Sequence, residues 1–150
     1  MLTAQDIMTA EVVTVTPDMP VQDLAQLLVE RQIGGVPVLD GEQLIGVVTE
    51  NDLIDQAKRL HIPTVLTILD AFIPLESPKR LDHDLRKMTG TTVGDICSRE
   101  VLTVETDATM EEIATIMAEQ RIHTLPVLRE GRLAGVIGKR DLLRVLARQS

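Results

Sequence analysis

The sequence predicts an α+β fold built from two similar halves, and two observations lead to this prediction. Residues 6–58 align without a gap with residues 95–147, at an offset of 89 and with 18 identities over 53 positions. A gapless match of this length indicates an internal duplication. Each copy also alternates short β-branched runs with segments of helical periodicity. Because two copies are too few for a solenoid, we expect a closed pair related by pseudo-twofold symmetry.

Each copy predicts the order strand, helix, strand, strand, helix. In the first copy, the β-rich run at 12–16 predicts a strand, and a helix follows from about Pro20 to Gln32. Proline suits the first turn of a helix because its missing N–H would have no partner there. The apolar residues of this helix recur at helical spacing and form one stripe: Val21, Leu24, Ala25, Leu28 and Val29.

Two glycines and two further strands lead into the last helix of the copy. Gly34 and Gly35 are expected to end the first helix. Residues 36–39 and 43–48 predict two strands joined by a turn at 40–42. The helix that follows is expected to turn four apolar residues inward: Leu53, Ile54, Ala57 and Leu60. The second copy repeats this order.

A connecting insert separates the copies. We therefore divide the chain into a first repeat at 1–60, the insert at 61–93 and a second repeat at 94–150. The insert is too long for a structureless loop in a compact domain. Its apolar part before Pro74 predicts a short helix, and residues 81–88 predict a charged surface helix. The insert is either a lid or partner surface, or it provides extra packing or a dimer contact.

The composition disfavours several classes of function. The net charge of −8 disfavours nucleic acid or an anionic membrane as the main partner, since both attract positive charge. Phe72 is the only aromatic residue, which leaves no platform for stacking bases. Cys97 is the only cysteine, so an intrachain disulfide is excluded. With no signal peptide and no apolar run of membrane-spanning length, we expect a cytoplasmic protein.

One type of junction occurs in both copies and is the best candidate for function. The apolar run Leu44 to Val48 suits a buried strand, and the residues Thr49 to Asp52 suit the start of a helix. Residues 133–142 repeat this pattern in the second copy. A strand-to-helix junction presents backbone N–H groups at the positive end of a helix dipole. We therefore expect a phosphate-binding position at these junctions.

The complete ordered pattern resembles the cystathionine-β-synthase-type (CBS) domain pair, or Bateman module. The first copy carries it as DIM, VVTVTPDMPVQDLAQLLVERQIGGVPVLD and LIGVVTENDL, and the second as DIC, VLTVETDATMEEIATIMAEQRIHTLPVL and LAGVIGKRDL. The resemblance implies two β-α-β-β-α repeats with ligand clefts between them. It also implies a regulatory, non-catalytic module that needs no cofactor, senses energy state through AMP, ADP or ATP, and forms a homodimer through its helices.

The resemblance assigns the phosphate and ribose contacts to the two junctions. Its motif, Ser or Thr followed three residues later by Asp, is matched in full by Thr49 and Asp52. Asn51 and the start of the helix would add donors for a phosphate. A carboxylate suits a ribose because it accepts hydrogen bonds from both hydroxyls. The same spacing is nearly that of a helix capping box, and capping and binding can coexist.

The second junction departs from the motif. It keeps Asp141 but has Gly138 where the motif has a hydroxyl residue. Lys139 and Arg140 either replace the hydroxyl with positive charge, which suits a phosphate, or form a solvated charge pair on a surface helix. Both interpretations remain open from the sequence.

The resemblance places the nucleotide base against the segment before the second strand of each copy. The residues that this assigns are Gly34, Gly35 and Pro37 in the first copy and His123, Thr124 and Pro126 in the second. Small residues let main-chain groups approach a base. Val13 and Leu102 are apolar walls by position. His123 either faces the ligand or is an ordinary surface or core residue. Because His61 and His83 lack ligand-like spacing, we predict no metal site.

Three classes of function follow from these features. The leading hypothesis is a sensor that binds an adenine nucleotide and changes how repeats or dimers pack, with an unknown regulated protein as its partner. The alternative is a structural or interaction module with empty clefts, which acts through the insert and the helical faces. An enzyme is disfavoured because the sequence has no triad, paired-carboxylate, metal or P-loop pattern.

Overall fold

A computed structural model of the chain describes residues 1–59 and 91–148. The two helices predicted within the insert therefore lie outside the described residues, as does Leu60. The described elements, in chain order, are α1 (Ala4–Ile7), α2 (Val21–Arg31), β1 (Gly35–Asp40), β2 (Gln43–Thr49), α3 (Glu50–Arg59), α4 (Val93–Ile96), β3 (Val104–Glu105), α5 (Met110–Glu119), β4 (Thr124–Arg129), β5 (Arg132–Gly138) and α6 (Lys139–Arg148).

The strands form the same hairpin in both repeats. β1 pairs antiparallel with β2 so that Gly35 lies opposite Thr49, and β4 pairs with β5 so that Thr124 lies opposite Gly138. In the second repeat, β3 adds a short parallel strand to β4. The strand predicted at 12–16 is shorter than expected, because only Val15 bridges to β1. The predicted α+β class and its two repeats are confirmed.

The first residues of each repeat pack against the other repeat. The Ala4 N–H donates to the Ala108 carbonyl at 2.8 Å, and the Val93 N–H donates to the Met19 carbonyl at 2.8 Å. These two hydrogen bonds are equivalent under the offset of the repeat. The backbone pairing of Thr9 with Val136 and that of Ser98 with Val47 are likewise equivalent under this offset. This reciprocal exchange is what a pseudo-twofold axis between the repeats requires.

Because the first residues of each repeat pack against the other repeat, the molecule has two hydrophobic cores, and each contains residues of both repeats. One core joins Ala4 and Ile7 of the first repeat to buried residues of the second, including Ile113 and Leu125. The other joins Val93, the residue just before the second repeat, and Ile96 and Cys97 within that repeat to buried residues of the first. Each core therefore contains side chains from both repeats, so we expect neither repeat to complete its core alone.

The structure corrects three expectations about the helices of the first repeat. α2 ends at Arg31 rather than at the two glycines, because the C-cap residue Gln32 has a left-handed φ of 55° and donates its N–H back to the helix. Pro20 occupies the N-cap position rather than the first turn. Val29 and Ile54 were expected on buried faces but are 77% and 64% exposed.

Candidate functional site

The two strand-to-helix junctions line one continuous cleft between the repeats. The cleft has a volume of about 1060 Å³, which is at the upper end of the range for small-molecule sites. The β2–α3 junction contributes Thr49 to Asp52, and the β5–α6 junction contributes Gly138 to Asp141. The hairpin of each repeat carries its junction to the inter-repeat surface, where β2 lies near β5.

The cleft brings together most of the residues predicted from the sequence. The predicted residues that line it are Val13, Gly34, Gly35, Pro37, Thr49, Asn51, Asp52, Leu102, His123, Thr124, Lys139, Arg140 and Asp141. Pro126 is not among the lining residues, and its side chain is less than 2% exposed in the core. It follows Leu125 on β4, and both side chains are buried in the core.

The first junction forms a capping box and keeps part of its carboxylate available. The Thr49 N–H and hydroxyl donate to Oδ2 of Asp52 at 2.9 and 3.2 Å. The Asp52 N–H donates in turn to Oγ1 of Thr49 at 3.4 Å. Within the described part of the chain, no hydrogen bond reaches Oδ1 of Asp52. Capping therefore uses one carboxylate oxygen and leaves the second for other donors.

The second junction uses both oxygens of its carboxylate within the protein. Oδ2 of Asp141 accepts from the Gly138 N–H at 2.6 Å. Oδ1 accepts from the Thr9 hydroxyl at 3.0 Å and from Nη1 of Arg144 at 3.3 Å. Asp141 is only 6% exposed. Because Thr9 belongs to the other repeat, this carboxylate ties the two repeats together.

Gly35 has a packing role that the sequence prediction did not include. A Cβ atom on Gly35 would lie 2.6 Å from Oγ1 of Thr124, which is far inside contact distance. Thr124 is the residue that matches Gly35 in the second repeat, and it is buried. The missing side chain therefore makes room for its own counterpart across the pseudo-twofold axis. A Cβ on Gly34 would meet nothing closer than 3.8 Å, so Gly34 is not constrained in this way.

The sequence reasoning missed two cations that line the cleft. Arg121 and Arg144 line it, as do Lys139 and Arg140. All four cations among the described lining residues come from the second repeat. The repeat alignment carries the information that could have found them, since the first repeat has Gln32 and Asp55 at the positions of the two arginines.

Two further properties concern metals and membranes. Within residues 1–59 and 91–148, no three His, Cys, Asp or Glu side chains come together in a way that could hold a metal ion. In the same ranges, no helix combines the length and apolar character needed to cross a bilayer.

Comparison with protein families matches the CBS domain twice, over residues 4–59 and 93–148. An uncharacterised protein of Methanocaldococcus jannaschii is 29% identical over 153 residues, which cover 95% of this chain and 89% of that protein. The chloroplastic CBS domain-containing protein CBSX2 of Arabidopsis thaliana is 30% identical over 87% of this chain, which spans 56% of CBSX2.

Solved structures have the same fold. CBSX2 in complex with AMP superimposes with a TM-score of 0.72 at 27% identity and covers 99% of this chain and 98% of its own. Hypoxic response protein I, solved with two coordinated zinc ions, has a TM-score of 0.68 at 25% identity and covers 97% of this chain and 99% of its own. These similarities extend over both repeats.

Proposed function

The chain belongs to the CBS domain family, and we propose that it is a regulatory module whose inter-repeat cleft binds an adenine nucleotide (AMP, ADP or ATP). The module has no catalytic role, requires no cofactor or metal, and acts in the cytoplasm on a regulated partner by sensing energy state. Nucleic acid and membrane are not its partners. Binding would bias the packing of the repeats, because a ligand that contacts both repeats favours one arrangement over another.

The observation that carries this proposal is the state of Asp52. Its carboxylate lines the cleft, and its Oδ1 accepts no hydrogen bond from the described residues. The two vicinal hydroxyls of a ribose are donors that such a carboxylate oxygen can accept. Thr49 and Asn51 lie beside it with polar side chains. The capping box holds Asp52 in position without consuming its second oxygen.

Two further observations support the proposal. The cleft volume of about 1060 Å³ is sufficient for a nucleotide. CBSX2, with the same fold and 27% identity, has been solved with AMP. A competing function, a structural module with empty clefts, would leave the open oxygen of Asp52 without a role.

The direct test is a thermal-shift screen of the purified protein with AMP, ADP, ATP, S-adenosylmethionine, NAD and cyclic dinucleotides. A ligand at 100 times its Kd stabilises a native-state site by about 2.7 kcal/mol, which raises the midpoint by roughly 5–10 °C for a chain of this size. We expect an adenine nucleotide to give this shift and Asp52→Asn to abolish it. No shift with any ligand at millimolar concentration would contradict nucleotide binding and favour the structural module.

We also propose that two chains form a homodimer through their helical faces. Ile54 on α3 and Leu143 on α6 are 64% and 55% exposed, and they occupy equivalent positions in the two repeats. Leu146 lies one turn further along α6 and is 57% exposed. A second copy placed across both helices would bury these side chains together.

Size-exclusion chromatography with light scattering tests the dimer. The variant Ile54→Lys/Leu143→Lys should run as a monomer, because two charges would be buried at the interface. Gln43→Lys, at an exposed hairpin position, should leave the mass unchanged. A wild-type protein that is monomeric at 100 times the working concentration would rule out the homodimer.

A further inference from the structure

The two repeats contribute different chemistry to the cleft. The first repeat lines it with an apolar recess, which we define as Val13, Ala25, Leu28, Ile33 and Leu53. Of the matching positions in the second repeat, only Leu102 and Ile122 line the cleft. The recess therefore exists on one side only, although the backbones of the two repeats are equivalent.

Charge follows the opposite distribution. The second repeat provides the cationic group, which we define as Arg121, Lys139, Arg140 and Arg144. The first repeat has Gln32, Glu50, Asn51 and Asp55 at the matching positions, none of them cationic. Glu50 and Asp52 instead make the first junction acidic. A multiply charged phosphate chain would be repelled at the first junction and attracted at the second.

The carboxylates divide in the same way. Asp52 has an oxygen available to a ribose, whereas both oxygens of Asp141 accept hydrogen bonds within the protein. Asp141 is also 6% exposed, so a ribose could reach it only by displacing Thr9 or Arg144. The cleft therefore offers one ribose position and one phosphate position, and they lie on different repeats.

We infer that each chain binds one nucleotide in one orientation, with the base in the apolar recess, the ribose on Asp52 and a di- or triphosphate chain directed at the cationic group. This inference rests on the proposed function and adds the orientation, the stoichiometry and the phosphate number. Affinity should rise with each phosphate, because each added charge meets further Arg or Lys donors. Adenosine and AMP are then weak ligands, and ATP is the strongest.

Calorimetric titration of the full chain tests this inference. Adenosine, AMP, ADP and ATP are titrated in EDTA, so that the protein supplies the only cations near the phosphates. The test variant is Arg121→Gln/Arg140→Asn, which places the residues of the first repeat at the matching positions of the second. Arg129→Gln is the matched control, because Arg129 is exposed on β4 and does not line the cleft. Thermal unfolding confirms that each variant is folded.

We expect one ATP per chain and an affinity for ATP at least about tenfold higher than that for adenosine, since the phosphates add charge-assisted hydrogen bonds. The double variant should lose this preference, with ATP weakened about tenfold or more and adenosine unchanged. Arg129→Gln should match the wild type. Equal affinity for adenosine and ATP, two equivalent ATP sites, or a double variant that retains the preference would overturn the inference while nucleotide binding itself stands. Failure of all four ligands to bind would instead refute the proposed function.

Discussion

The junctions at Thr49–Asp52 and at Gly138–Asp141 have the same backbone and the same aspartate, yet they use that aspartate differently. In the first, the carboxylate closes a capping box, and its Oδ1 accepts no hydrogen bond from the described residues. In the second, the carboxylate binds Thr9 of the other repeat and Arg144 of its own helix. One copy has a carboxylate with one oxygen that accepts no hydrogen bond from the described residues, and the other has a carboxylate that holds the repeats together.

This difference shows that a duplicated motif does not imply a duplicated site. Replacing the hydroxyl of Thr49 by Gly138 removes the side chain that could share the carboxylate in the second repeat. The Gly138 N–H still caps the helix through Oδ2. Oδ1 then becomes the acceptor for donors from outside the junction, and the second repeat supplies charge to the cleft through arginine and lysine instead.

The largest expected effect is on stability at the second junction. Asp141→Ala removes a buried acceptor from three donors, so we expect it to lower the free energy of unfolding by roughly 3 kcal/mol. Asp52→Ala removes only a capping interaction and should cost about 1 kcal/mol. Chemical denaturation of both variants measures the difference. Equal losses in the free energy of unfolding would show that the two carboxylates stabilise the fold equally, which would contradict this prediction.

A smaller loss of stability is expected for the residues that contact each junction from the opposite repeat, and it should differ between the two junctions. Thr9→Val keeps the shape of the side chain but removes the donor to Asp141, and it should cost about 1–2 kcal/mol. Ser98 occupies the matching position, and its hydroxyl has no partner among the described residues. Ser98→Ala is therefore the control and should change the stability by less than about 0.5 kcal/mol.

Denaturation curves of these two variants sharpen the comparison of the junctions. If Ser98→Ala destabilises the protein as much as Thr9→Val, the hydroxyl of Thr9 does not hold Asp141 in the way the geometry indicates. If only Thr9→Val is destabilising, the cross-repeat contact is confined to the second junction.

The smallest effect concerns the entry helices, where the two repeats behave alike. The backbone N–H of Thr3 donates to Asp6 and lowers the pKa of that carboxyl below its ordinary 3.8, and Thr92 lowers the pKa of Asp95 in the same way. Because the folded-state pKa is the lower one, both carboxylates stabilise the fold above about pH 3.8, and this contribution is lost as the pH falls through the folded-state pKa.

Thermal midpoints measured from pH 6 down to pH 2 test this symmetry. Asp6→Asn and Asp95→Asn should each reduce the loss of stability on the acid side by a similar small amount. Asp40→Asn, in the exposed hairpin of the first repeat, provides the control and should leave the acid slope as in the wild type. A slope that changes for only one of the two capping variants would contradict the equivalence of α1 and α4.

The sequence was sufficient for the fold class, the duplication and the two junctions, because these depend on periodicity and on spacing within each repeat. It was not sufficient for the contacts between repeats. An alignment of the copies does not say which copy a segment packs against, so the exchange of Ala4 and Val93 was not predicted. Thr9 and Asp141 are 132 positions apart, and no local pattern links them.

In the site, too, the sequence predicted the local features but not the contacts between the repeats. Thr49 and Asp52 were predicted from a local motif, whereas the packing role of Gly35 depends on Thr124 across the pseudo-twofold axis. The resemblance assigns Pro37 and Pro126 to the cleft alike, but only Pro37 is among the lining residues. The differences in charge between the aligned positions were visible in the sequence, and their convergence on one side of the cleft required the structure.

The most direct test of the central claim is a crystal structure of the protein grown with ATP at saturating concentration. We expect one nucleotide in the inter-repeat cleft, with a ribose hydroxyl within hydrogen-bond distance of Oδ1 of Asp52 and the phosphates beside Lys139 and Arg140. An empty cleft under these conditions, or a nucleotide whose ribose lies on Asp141 in place of Thr9, would contradict it.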